Sequence, residues 1–125
     1  MNGNRYLLDT NAIIALLQKD SNLIRLLQDA EWVGISVISQ IEFLAFADLS
    51  KTDIQLFQQF LQRVETIDLS SNNKLLIDQI ILIRQQYRLK LPDAIIAAMA
   101  REKSAKLVTR DTQLSRVTDL AIVNW

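Results

Sequence analysis

Fourteen of the 125 residues are acidic, and four of them stand among apolar neighbours. Asp9 follows the run Tyr6-Leu7-Leu8. Glu42 lies within ISQIEFLAF, Asp93 opens AIIAAMA, and Asp111 follows Lys106-Leu107-Val108-Thr109. Others, such as Asp20, Asp48, Asp53 and Glu102, sit in polar surroundings. An ionised carboxylate away from water is costly unless something pairs with it. The chain has no His and no Cys. That excludes imidazole bases, thiolate nucleophiles, disulfides and ordinary zinc sites. Any catalysis must rest on carboxylates, hydroxyls, Lys, Arg, Tyr or a metal held by oxygen.

Taken singly, each acid has an ordinary use. Asp9, Asp93 and Asp111 could cap helices, at about 1 kcal/mol each. Glu42 could pair with Arg84. Read as a helix from about Val37, Glu42 has Ile38, Ala45, Phe46 and Leu49 within roughly 60° of it. That is an apolar stripe and an odd place for a charge.

The elements that must position these acids alternate between strand and helix. RYLL (5–8) reads as a strand, and TNAIIALLQ as a helix with Asp9 at its cap. SNLIRLLQDA (21–30) is a helix capped by Asp20 or Ser21, and WVGIS (32–36) a buried strand. The Glu42 helix follows. KTDIQLFQQFLQRV is amphipathic, and ETIDL is short and extended. SNNKLLIDQIILIRQQYR (71–88) is a long helix, and PDAIIAAMAREK (92–103) a helix opened by Pro92. KLVT is a strand, DTQLSRV a short helix or turn, and LAIVNW a last strand. Short apolar strands between helices predict an α/β fold with a mainly parallel sheet covered on both faces. The chain length and the lack of any linker or repeat predict one domain over residues 1–125.

In such a sheet, ligands bind beyond the carboxyl ends of the strands. Asp9 and Asp111 each stand just past a strand. Asp93 heads a helix, and Glu42 is about one and a half turns into the helix after Ser36. Converging there, the four would repel one another. A hard divalent cation, Mg²⁺ or Mn²⁺, resolves the repulsion through oxygen ligands alone. Two ions about 4 Å apart are a known arrangement for in-line phosphodiester hydrolysis.

Net charge is zero, but its distribution is uneven. Residues 1–73 carry five Lys/Arg against nine Asp/Glu, and residues 74–125 carry nine against five. The basic half could follow phosphates, or its charges could simply be solvated. The longest uninterrupted apolar run, residues 94–100, is far shorter than the ~20 residues that span a bilayer. The expected setting is the cytoplasm, with no membrane. In the long helix, Leu76, Ile80, Ile83 and Tyr87 form one core stripe. Leu75, Ile77, Ile81 and Leu82 leave extra apolar surface, which is either buried in the domain or a self-association face.

YLLDTNAIIALL, ISVISQIEFLAF and KLPDAIIAAMAREKSAKLVTRD, in that order, resemble the PIN domain. The resemblance is to VapC-type ribonuclease toxins in particular and spans nearly the whole chain. It implies a Rossmann-like α/β/α sandwich and a Mg²⁺- or Mn²⁺-dependent endoribonuclease. Asp9, Glu42, Asp93 and Asp111 would be its metal-binding and catalytic acids. Thr10, Asn11 and Thr109 would orient acids or water. Gln113 and Ser115 stand where some relatives carry a further acid, which leaves one ion or two open. Arg84, Arg88, Lys90, Arg110 and Arg116 are the candidates for RNA contact. The resemblance also implies a homodimer and a cognate antitoxin protein. The competing readings are a PIN-like binding module without activity, a haloacid-dehalogenase-like phosphatase, and a phospho-accepting receiver domain. The phosphatase needs a second Asp where Asn11 stands. The receiver needs paired acids near the first strand, where only Asp9 is found.

Overall fold

Tyr6, Leu7 and Leu8 are buried on alternate sides of the first strand, so the strand has a core on each face. The structure, a computed structural model, describes residues 3–125. The first two positions of the expected 1–125 unit lie outside the described residues. Strand β1 (Asn4–Leu8) is central in a five-stranded sheet of order β3-β2-β1-β4-β5. The others are β2 (Ala30–Ser36), β3 (Glu65–Ile67), β4 (Lys106–Val108) and β5 (Ile122–Val123). All four pairings are parallel, as expected of strands joined by helical crossovers.

Six α-helices connect them: α1 (Thr10–Leu17), α2 (Ser21–Leu27), α3 (Val37–Leu44), α4 (Lys51–Leu61), α5 (Lys74–Tyr87) and α6 (Leu91–Glu102). Their starts have local causes. Asp20 accepts from the Leu23 amide, and Ser50 with Asp53 forms a reciprocal capping box at α4. The Asn73 side chain caps α5, which therefore starts later than the expected Ser71. Helix α2 stops at Leu27 because Ala30 already belongs to β2. The last strand shrinks from LAIVNW to two residues.

One core lies between the sheet and α5–α6. Leu7 and Leu107 meet Leu76, Ile80 and Ile83 of α5 and the wholly buried run Ala94–Ala100 of α6. Alanines there bring α6 close to both neighbours. The other core joins Tyr6, Leu8, Ile35 and Val108 to side chains of α1, α2, α3 and α4. In it Phe43 stacks on Phe57 at 4.2 Å between centroids. The fold is thus an α/β/α sandwich, as the sequence predicts. Among the described residues no helix is long and apolar enough to cross a membrane.

From β1 the chain builds β2 and then β3 to one side. It returns to lay β4 and β5 on the other. The direction of winding therefore reverses between β1 and β4, and a crevice is expected at their carboxyl ends. The apolar stripe expected around Glu42 is a core stripe only in part: Ile38 and Leu49 pack against the cores, and Ala45 and Phe46 do not. Helix α3 ends at Leu44, Ala45 is its C-cap, and Phe46 is 47% exposed. Its buried side chains are Ser39 and Phe43, and Glu42 lies half-buried beside them.

Candidate active site

Asp9 is the first residue past β1, and its amide donates to the Val108 carbonyl of β4 at 3.0 Å. That bond stitches the two strands together at the reversal point. The Asp9 side chain is the N-cap of α1. One carboxylate oxygen accepts from the Thr10 amide at 2.8 Å, and the other from the Thr109 hydroxyl at 2.7 Å. Asp9 is only 7% exposed. Burial pushes its carboxyl up, and the charges of Glu42 and Asp111 push the same way. The bonds from Thr109 and Thr10 oppose them.

Thr109 follows β4 and is 2% exposed. Its hydroxyl donates to Asp9, and it accepts from the Asp111 amide at 3.0 Å and the Asn11 side-chain amide at 3.4 Å. Asn11 in turn accepts from the Arg110 amide at 3.4 Å. One hydroxyl thus holds together the turns after β1 and β4. Asp111 caps a 3₁₀ turn over Thr112–Arg116 by accepting from the Gln113 amide at 3.0 Å. The cap reading and the site reading therefore coexist at Asp9 and Asp111.

Asp93 differs. The cap considered for it does not form, because α6 begins at Leu91 and Lys90 occupies the N-cap position. Asp93 lies in the first turn of α6, with no hydrogen bond to its side chain among the described residues. Its carboxyl is pushed up to about 6, first by burial and then by the charges of Asp111, Asp9 and Glu42, with Lys90 opposing. Asp9, Glu42 and Asp111 thus lie near enough for their charges to act on this one carboxyl. Glu42 is not paired with Arg84, whose guanidinium donates to the Leu89 carbonyl at 2.8 Å. Instead Glu42 accepts from the Thr10 hydroxyl at 2.7 Å.

The donors at this edge are oxygen only, which suits Mg²⁺ or Mn²⁺. Yet among the described residues no three acids are disposed to hold a metal ion as they stand. Glu42 and Asp111 are each engaged by a donor of the chain itself, the Thr10 hydroxyl and the Gln113 amide. The donor chemistry and the mutual repulsion fit a cation, and a closed cage requires side chains to turn.

Among the basic candidates, Lys90 acts on Asp93 and Arg110 adjoins Asn11. Arg116 donates to the Gln113 carbonyl, and Arg88 ends α5 in an exposed turn. Trp125 carries no local signal of a place near the site. Its ring lies 4.3 Å under the Arg110 guanidinium, and only the third dimension brings them together. Ser39, in the segment ISVISQIEFLAF, is buried one turn before Glu42, and its hydroxyl has no partner among the described residues. An apolar cavity of about 480 Å³, bounded by α1, α2 and α4, lies away from the acids and includes none of them. The candidate site is therefore the crevice with the acids, and this cavity is a separate feature.

A family model described as PIN domain matches residues 6–120. No curated protein matches the sequence. Among solved structures, the chain is similar to VapBC2 from Rickettsia felis bound to a DNA fragment from its promoter, at 25% identity and TM-score 0.79, over 97% of this chain and 98% of that one. It is similar to a toxin–antitoxin complex from Klebsiella pneumoniae at 28% identity and TM-score 0.78, over 94% and 96%. A DNA-bound VapBC from Salmonella typhimurium shares the fold at 23% identity and TM-score 0.72, over 98% of each chain.

Proposed function

The chain belongs to the PIN domain family, and from that premise we propose that it is a metal-dependent endoribonuclease, the toxin of a toxin–antitoxin pair. The observation that carries this reading is Asp93, a carboxyl pushed up to about 6 among three other acids at the sheet's reversal point. A cation is the natural relief for that charge. Asp9, Glu42, Asp93 and Asp111 would hold Mg²⁺ or Mn²⁺, one ion or two, which would supply neutralising charge and an acidified water for phosphodiester hydrolysis. The rest is the work of the chain itself. Thr109 and the Thr10 amide fix both oxygens of Asp9, the rigid side of the site. Glu42, on a single bond to Thr10, is the adjustable side. Lys90 and Arg110 flank the acids and can neutralise RNA phosphates. Arg84, Arg88 and Arg116 serve the strand further out.

The partner is an antitoxin protein. This is supported by the solved toxin–antitoxin complexes that the chain resembles over nearly its full length. A homodimer and a cytoplasmic setting complete the proposal. The uncollected spacing of the acids favours a second reading, a PIN fold that binds without cutting.

Cleavage of total RNA by antitoxin-free protein separates the two. With Mg²⁺ or Mn²⁺ the nuclease makes discrete cuts, which EDTA, Asp9→Asn and Asp93→Asn each abolish. A binding module makes no cuts and is indifferent to Mg²⁺.

A further inference from the structure

Arg110 is set apart from the other guanidiniums near the crevice by how it is held. Its guanidinium carbon lies 4.3 Å from the centre of the Trp125 ring, and one of its nitrogens donates to the Trp125 main-chain oxygen at 3.2 Å. Its own amide donates to Asn11, which also bonds the Thr109 hydroxyl beneath Asp9. Arg110 is nonetheless exposed. The guanidinium is therefore backed by indole while the residue opens to solvent, one position from Asp111. Arg84 and Arg116 have no such aromatic support among the described residues, and each donates to a main-chain carbonyl.

Trp125 is a costly choice if its task is only to fill space. It packs against the core on the α1–α4 side of the sheet, and its indole N–H is buried with no partner among the described residues. A phenylalanine or leucine would cover the core without stranding a donor. Indole offers the best ring face for a cation, and a guanidinium fixed on it keeps its orientation. A planar cation with a free face stacks well on an unpaired base.

We infer that Arg110, braced by Trp125, is a stacking platform for one unpaired base of the substrate strand, beside the crevice that takes the scissile phosphate. This rests on the nuclease reading above and adds a subsite to it. The platform selects single-stranded RNA, because a paired base has no face to offer.

The test measures binding of a short, labelled, mixed-sequence oligoribonucleotide, alone and annealed to its complement. An Asp93→Asn background keeps the RNA uncut, and Arg110→Ala, Arg110→Lys and Trp125→Phe are compared in it. Arg110→Ala weakens single-strand binding about tenfold. Arg110→Lys is as weak, although it keeps the charge and the salt dependence, because an ammonium has no plane to stack. Arg110→Lys leaves duplex binding unchanged, Arg110→Ala weakens it only by the loss of one phosphate-neutralising charge, and both variants stay folded at the assay temperature. Trp125→Phe keeps most of the single-strand affinity. Wild-type affinity in Arg110→Lys would show a charge contact and overturn the platform, as would undiminished binding by Arg110→Ala. Metal-dependent cleavage by the unsubstituted protein is run alongside. If it cuts while the Arg110 variants bind normally, only the platform falls. If it neither cuts nor binds any RNA, the nuclease reading falls and the platform with it.

Discussion

Asp93 has three acids acting on it and Lys90 as its counterweight, and this leaves a signature in stability. Its folded carboxyl is pushed from the ordinary 3.8 to about 6, so the native state holds the proton to higher pH than the unfolded chain does. The contribution is intact below about pH 4 and is lost as pH rises through about 6. Asp9 is shifted in the same direction. Asp93 is only half-buried, so solvent screening reduces the full conversion of this shift to roughly 1 kcal/mol. Asp93→Asn is therefore expected to raise the metal-free thermal midpoint by about 4 °C at pH 7 and to leave it unchanged near pH 4. Melting curves at both pH values check this, and equal shifts at both would remove the charge explanation. Ser39 permits a second test. Its hydroxyl is buried without a partner among the described residues, so Ser39→Ala should leave stability unchanged or slightly higher. A loss of about 2 kcal/mol on denaturant titration would reveal a bond that Ser39 makes. At this scale the placement of Asp9 and Asp111 just past strands and of Asp93 at a helix head was legible in the sequence, because each adjoins a run of apolar residues. Their partners were not. That Thr10 holds Glu42 across 32 residues, or that Thr109 holds Asp9 across 100, follows from strand order, which no local pattern encodes.

Helix starts were largely readable, because caps are local chemistry: Asp9, Asp20 and the Ser50–Asp53 pair all act within three residues. Strand limits were not, because pairing decides them. Strand β2 extends back to Ala30, where Asn4 of β1 meets it, and β5 keeps only the two residues that pair with β4. In β2 the sequence also conceals a close contact. A Cβ on Gly34 would lie 2.2 Å from the Trp32 ring, itself stacked under Arg5 and bonded to Glu65. An indole so placed cannot simply swing away, so Gly34→Ala should cost about 1–3 kcal/mol in chemical denaturation. At the end of α5, Arg88 takes a left-handed conformation, φ 53°, that glycine adopts without strain. Arg88→Gly should raise stability by up to about 1 kcal/mol. If the same variant also weakens RNA binding, the side chain contacts phosphate, and the two effects separate in one protein.

Across the whole molecule, net neutrality hides a division that the fold uses. Asp9 and Glu42 come from the acidic half of the chain, while Asp93, Asp111, Lys90 and Arg110 come from the basic half. The reversal between β1 and β4 brings the halves together, so the acids and the cations that flank them meet only in the folded protein. The same sandwich leaves apolar surface outside its two cores. On α5, Leu76, Ile80 and Ile83 face inward as the sequence predicts, and Tyr87 packs against the same core. Leu75 is 80% exposed, Leu82 54% and Ile81 47%. Three large aliphatic side chains on one helix cost little if another copy covers them, and the proposed homodimer would do so. A dimer that persists at micromolar concentration buries on the order of 1,200–2,000 Å² in total, so α5 would be its centre and neighbouring elements its rim. Light scattering should then give about twice the 14.3 kDa chain mass for the unsubstituted protein. The double variant Leu75→Lys, Leu82→Glu should give a single chain mass and an unchanged far-ultraviolet spectrum, because neither side chain supports the core. A double variant that keeps the doubled mass would move the interface off α5, and the exposed side chains of α3 and α4, Ile41 and Leu56 among them, would be the next to substitute.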